Sequence, residues 1–176
     1  RYSPKPIVIA PGGLALGGGS EIMMHASRVV AASELYAGLV EVGSGVIPAG
    51  GGTKEMVRRL LNPAMKTPNT DPLPHIMRIF EQVGTAKVAT SAEEARQMGL
   101  LSACDRVVMN RDHLIAEAKS EVLHMLTTGY QAPVPEKLYA AGRDALAALQ
   151  VGIYMYRQAN QITEYDVVVA GKLASV

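Results

Sequence analysis

A single cysteine, Cys104, occurs among the 176 residues, which excludes an intramolecular disulfide framework and fits a reducing compartment. Charge of one sign is lacking as well: 17 Lys and Arg stand against 16 Asp and Glu. With no basic stripe of the kind a phosphate backbone demands, nucleic acid is not an expected partner. No apolar run reaches the length of a membrane span. The opening residues, Arg-Tyr-Ser-Pro-Lys-Pro at 1–6, show neither an initiator Met nor the apolar core of a signal peptide. Also missing is a Gly-x-Gly-x-x-Gly dinucleotide fingerprint, and in Gly-Gly-Gly-Thr-Lys at 50–54 the order of Thr53 and Lys54 is the reverse of a phosphate-binding P-loop. The four histidines form no ligand pattern: His113 and His124 lie about 16 Å apart along one helix, too far for one ion, so no metal is expected. These absences describe a soluble, cytoplasmic piece of protein without membrane or nucleic-acid partners.

What is present begins with glycine. Pro-Gly-Gly-Leu-Ala-Leu-Gly-Gly-Gly-Ser-Glu at 11–21 follows a hydrophobic run and precedes an apolar, helical-looking one. This reads as a strand at 5–10, a tight glycine turn and a helix at 18–26. Residues lacking a Cβ let the backbone turn sharply and approach a bound group. The first N–H groups of the helix, unpaired and at the positive end of its dipole, point at whatever lies before Gly17, Gly18 and Gly19. Negative charge developing there is stabilised as in an oxyanion hole. Glu21 follows directly, and a second carboxylate, Glu41, comes before a second glycine cluster at 50–52. Taken alone, Glu21 is equally an acid favoured by the first turn of a helix, and the second cluster is equally a turn.

The remaining pattern is coarse. A β-branched run at 28–33 reads as a strand, and 54–61 as a helix with Val57, Leu60 and Leu61 opposite Lys54, Arg58 and Arg59. Four prolines make 62–74 a loop. Ser91 and Glu94 form a capping box that opens a short helix closed by Gly99. The stretch 112–126 carries an apolar stripe of Leu114, Ile115, Ala118, Val122 and Met125. Two more helices follow, one at 144–158 and one capped by Thr163 with Asp166 three residues on. Cys104 reads as an ordinary buried thiol. With 48% hydrophobic residues the chain can bury one substantial core.

Three ordered motifs carry a resemblance: Ala-Leu-Gly-Gly-Gly-Ser-Glu at 15–21, Gly-Leu-Val-Glu at 38–41 and Gly-Val-Ile-Pro-Ala-Gly-Gly-Gly-Thr at 45–53. In order and spacing they resemble the enoyl-CoA hydratase (crotonase) superfamily, in which hydratases keep both glutamates. The Pro-rich insertion at 62–74, the run at 80–90 and the ending at 163–174 look similar to the hydratase half of bacterial proteins fused to 3-hydroxyacyl-CoA dehydrogenase. Ser27 departs from the pattern, since many members carry an acid six positions after the first glutamate.

The resemblance implies an α/β fold, a crotonase-like spiral of β-β-α turns of which only the later part is here, over 1–107, followed by a C-terminal helical region at 108–176. The family's first oxyanion donor belongs to a loop well before this chain's first strand, so the chain is expected to be a piece of a longer polypeptide. The implied activity is addition of water to a 2-enoyl-CoA in fatty acid β-oxidation. The implied roles are Glu21 in activating water, Glu41 in delivering the carbon-bound proton, Gly18 as oxyanion donor, and Gly17, Gly19, Pro48, Gly50 and Gly51 lining the substrate. Acyl-CoA is the implied substrate, with no cofactor in this chain and NAD confined to a dehydrogenase part. The implied partners are copies of itself, as a trimer or hexamer, or that dehydrogenase part. An isomerase needing Glu41 but not Glu21, and a non-catalytic oligomerising piece, are the alternatives.

Overall fold

The computed structural model describes all 176 residues, Arg1–Val176. They form two compact units that the chain enters alternately: Arg1–Gly38 with Val88–Lys137, and Leu39–Lys87 with Leu138–Val176. The units are therefore interleaved along the sequence, and they cut it differently from the expected division at 107 and 108.

The first unit is built of short parallel strands. Strand β1 (Val8–Ile9), β2 (Gly13–Leu16), helix α1 (Gly18–Met24), β3 (Arg28–Ala32) and β4 (Leu35–Gly38) make one turn and the start of the next. In the stacking, β1 pairs with β3 in the register Val8 to Arg28, and β2 pairs with β4 in the register Gly13 to Leu35. Strand β5 (Arg106–Val108) adds to the far side of β3, giving the order β1-β3-β5. Parallel pairing needs a crossover between partners, and α1 supplies it. This repeating β-β-α geometry agrees with the spiral that the motifs imply.

The glycine-containing stretch 11–19 is expected to be one turn, yet β2 lies inside it, because Gly13 to Leu16 bond in ladder fashion to β4. Two glycines of the stretch are left-handed: Gly13, with φ of 68°, opens β2, and Gly17, with φ of 54°, makes the bend into α1. The expected strand at 5–10 shortens to Val8–Ile9 and is only partly buried.

Helix α5 (Leu114–Thr127) packs Leu114 and Ala118 on Val30 and Ala32 of β3, with Val8, Ala10 and Val108 around them. Ile115 does not belong to this stripe: it is 71% exposed, because one residue beyond Leu114 the helix has turned about 100° away from the sheet. Helix α4 (Ala92–Gln97) is capped by Ser91, whose Oγ accepts from the Glu94 N–H, while Glu94 reaches back to the N–H and hydroxyl of Thr90 instead of to Ser91. Buried Asp105 accepts from the N–H groups of Val29 and Ser102 and so ties β3 to the turn before β5. Beside it Cys104 is exposed, since its carbonyl, and not its thiol, faces Arg28.

The second unit is helical. After a 3-10 turn at Glu41–Ser44, helix α2 (Gly52–Met56) runs into a π-turn at Val57–Leu61. The expected helix at 54–61 is thus split, and on its charged face Arg58 and Arg59 are largely covered while Lys54 is 40% exposed. Glu55 is fully buried, 2.7 Å from Arg58 and 3.1 Å from Lys54, with Arg59 at 3.7 Å. The Pro-rich stretch holds only a short 3-10 turn, Ala64–Lys66, before α3 (Leu73–Gly84). Helices α6 (Gly142–Gln158) and α7 (Glu164–Ser175) complete the unit and bury Ala145, Leu149, Ile153, Val169 and Leu173. No helix is long and apolar enough to cross a membrane.

Candidate active site

In the first unit the expected residues stand at the start of α1. Gly17 is the residue before the helix; its N–H donates to the Gly38 carbonyl at 2.8 Å, and its carbonyl accepts from the Glu21 N–H at 3.0 Å. The N–H groups of Gly18 and Gly19 precede the first intrahelical acceptor and project from the helix start. Both residues are exposed. A Cβ added at Gly18 would meet nothing within 4 Å, so no packing inside the chain demands glycine there.

Ser20 holds this turn in place. Fully buried, it donates from Oγ to the Ala15 carbonyl at 2.6 Å and accepts from the Gly38 N–H at 2.9 Å, joining β2, α1 and β4 in one knot. The sequence reading passed over Ser20, although a small polar residue between glycine and glutamate was the available signal. One residue on, Glu21 is buried. Its carbonyl accepts from the ring and the backbone of His25, which closes the helix over fully buried Met23 and Met24. A carboxylate one turn from a row of backbone donors can exchange a proton with a group bound at those donors.

In the second unit the expected residues lie between Glu41 and Gly52. Glu41 opens the 3-10 turn, its carbonyl accepts from Val46, and its Oε2 is closed to solvent. The turn ends at Gly45, with φ of 76°. Here glycine is required twice: the conformation is left-handed, and a Cβ would come within 2.9 Å of the Tyr165 ring. The Tyr165 hydroxyl donates to the Gly45 carbonyl at 3.0 Å, so α7 anchors the turn that carries Glu41. No sequence signal in the motifs pointed to Tyr165. Pro48 is buried, Gly50 is exposed, and Gly51, with φ of 96°, starts α2 by accepting from Glu55. Of the expected site residues, Gly17, Gly18, Gly19 and Glu21 share one helix start, and Glu41, Pro48, Gly50 and Gly51 share one loop.

No family model matches the chain. A Bacillus subtilis protein described as a probable 3-hydroxyacyl-CoA dehydrogenase is 43% identical over 176 residues, which are 100% of this chain and 22% of that protein. The crotonyl-CoA hydratase of Syntrophomonas wolfei is 33% identical over 128 residues, 73% of this chain and 42% of the hydratase. Among solved structures, an enoyl-CoA hydratase subunit from Geobacillus kaustophilus matches with a TM-score of 0.52 and 25% identity, covering 97% of this chain and 52% of its own. A Thermobifida fusca structure in complex with CoA gives 0.52 and 21%, over 96% of this chain and 52% of its own. The chain spans about a fifth of the Bacillus protein and about half of each solved structure. With its motifs in order and its strands in parallel β-β-α turns, the chain belongs to the enoyl-CoA hydratase/isomerase (crotonase) superfamily.

Proposed function

We propose that the chain is the hydratase part of a fatty acid β-oxidation polypeptide that also carries a 3-hydroxyacyl-CoA dehydrogenase. The observation that supports it best is the pairing, at the start of α1, of outward backbone donors at Gly18 and Gly19 with a buried carboxylate at Glu21, one turn on. Relatives named for hydration and for hydroxyacyl-CoA dehydrogenation support the same reading.

In this reading the thioester oxygen of a 2-enoyl-CoA accepts from the Gly18 N–H, so that enolate charge is stabilised as it forms. Glu21 takes a proton from water, the hydroxide equivalent joins the β-carbon, and Glu41 gives a proton to the α-carbon, yielding the 3-hydroxyacyl-CoA. Gly17, Gly19, Pro48, Gly50 and Gly51 shape the thioester's surroundings. The segment 1–107 would be the later part of the spiral and 108–176 its helical end. The assembly would be a homo-oligomer or a complex with the dehydrogenase part, working in the cytoplasm.

The test is hydration of crotonyl-CoA, followed by loss of enoyl absorbance, in a polypeptide that holds this chain within a complete domain. Glu21→Gln and Glu41→Gln should each lower kcat by about 100-fold or more, the range of a positioned acid or base. Full hydratase activity in both variants would overturn the reading. Loss of hydration with retained double-bond migration in Glu21→Gln would identify an isomerase.

A further inference from the structure

Within the second unit, the 3-10 turn that Glu41 opens is closed by local backbone bonds. The Gly43 N–H donates to the Val40 carbonyl at 3.0 Å, the Gly45 N–H to Val42 at 2.9 Å and the Val46 N–H to Glu41 at 3.2 Å. Bonds that span three to five residues fix the curvature of a turn. Where the turn stands depends on contacts from elsewhere in the unit.

Tyr165 supplies such a contact twice over. Its hydroxyl donates to the Gly45 carbonyl at 3.0 Å, and its ring edge comes to 2.9 Å from the place a Gly45 Cβ would take. The residue is 62% exposed, so burial in the core does not account for its placement. Tyr165 is the second residue of α7, and the start of that helix is itself held. The Thr163 hydroxyl accepts from the Asp166 N–H at 3.2 Å, and the Asp166 carboxylate accepts from the Thr163 N–H at 2.8 Å. From the end of α6, Arg157 donates through Nε to Glu164 at 2.9 Å. A phenol presented from so fixed a helix start can hold a turn in place. Any displacement of Gly45 is passed to Glu41, because Val46, the next residue, bonds back to the Glu41 carbonyl.

We infer that Tyr165 is a positioning residue for Glu41, acting through the turn and not on the substrate. The inference rests on the hydratase reading, in which Glu41 gives a proton to the α-carbon. That transfer requires the carboxyl within about 3 Å of its target. A misplacement of about 1 Å can cost on the order of 100-fold in rate, so the tether at Gly45 bears directly on the chemical step.

Crotonyl-CoA hydration by the complete domain, measured for Tyr165→Phe, Glu41→Gln and the double variant, tests this. Tyr165→Phe keeps the ring beside Gly45 and removes only the hydrogen bond. Its kcat should fall by about two- to fivefold, up to the net worth of one such bond, with KM unchanged. In the Glu41→Gln background the same substitution should lower kcat no further, because no carboxyl is left to place. A purely structural role would lower kcat by the same factor in both backgrounds, and that result would overturn the assignment, as would an unchanged kcat in Tyr165→Phe. Both of those results leave the hydratase reading standing as long as Glu41→Gln is impaired. Full activity in Glu41→Gln would overturn the role of Glu41 and this assignment with it.

Discussion

The hydroxyls of Ser27 and Tyr130, 103 positions apart in the sequence, stand 3.0 Å from each other. Ser27 Oγ also accepts from the Ile7 N–H at 3.1 Å, and the Tyr130 hydroxyl donates to the Ser3 carbonyl at 3.4 Å. Read as a relay, the proton order runs from Ile7 through Ser27 and Tyr130 to Ser3, holding the segment before β1 against the end of α5. The position at which the resemblance implies an acid is thus filled here by a donor and acceptor in one. Tyr130→Phe should cost about 1 kcal/mol, and Ser27→Ala at least as much, since it also leaves the Ile7 N–H without its acceptor. In a urea series the double variant should cost less than the sum of the two. An additive pair would mean that the hydroxyls do not share a bond. Ser27→Asp should be tolerated, because a carboxylate accepts from both Ile7 and Tyr130.

Adjacent glycines at the head of α1 should behave oppositely. Gly17 has φ of 54° and ψ of −122°, a region nearly closed to residues with a Cβ, and Gly17→Ala should cost about 1–3 kcal/mol. Gly18 has open space where its Cβ would be, and alanine favours a helix over glycine by up to about 1 kcal/mol, so Gly18→Ala should keep or raise Tm. Hydration in the complete domain should nevertheless fall in Gly18→Ala, because the added methyl intrudes where the thioester is proposed to lie. A variant with raised Tm and unchanged kcat would show that Gly18 faces no substrate.

Much of this was legible in the residues. The helix start after Gly17, strand 28–32, the Ser91 cap, the Thr163 capping box and the last two helices follow from local chemistry, which acts within a few residues. What escaped depends on distant partners. The strand at 13–16 is four residues long and set between glycines, and it is a strand only because β4 pairs with it. The burial of Glu55 beside Lys54, Arg58 and Arg59 is not written in the helix pattern at 54–61. Tyr165 supports the Glu41 turn from 120 residues away, a relation no motif spacing encodes.

The capping box of α7 carries a pH signature. Asp166 accepts from the Thr163 N–H at 2.8 Å and from its hydroxyl at 2.7 Å. The backbone bond first, and the hydroxyl bond after it, hold the Asp166 carboxyl below its ordinary 3.8. A depressed carboxyl contributes stability that is present above the unfolded value and is lost as pH falls through the folded one. Helicity of α7 should therefore hold down to about pH 4 and decline only below it. Thr163→Ala should move the Asp166 carboxyl shift, followed by NMR, back toward 3.8. Because the larger cause, the Thr163 N–H bond, survives in that variant, the return should be partial, and an unmoved midpoint would mean that the hydroxyl adds nothing to this acidity.

Gln82 lies in α3 beside buried Ile79 and Val83, is itself buried, and has neither its amide oxygen nor its amide nitrogen in a hydrogen bond. Its carbonyl is used, accepting from Lys87 at 3.0 Å to end the helix, so only the side chain is unsatisfied. Burying an amide without partners costs about 1–3 kcal/mol by the mutational scale, and a methionine of similar length removes that cost while filling the same space. Gln82→Met should therefore raise stability by about 1 kcal/mol in a urea titration, with the m-value unchanged. Gln82→Ala is the control, since it removes the same polar atoms but leaves a cavity and should not stabilise. A stabilised methionine variant beside a destabilised alanine variant would fix the cause as the unpaired amide. Destabilisation by both would show that the amide meets a partner in solution, and that α3 depends on it.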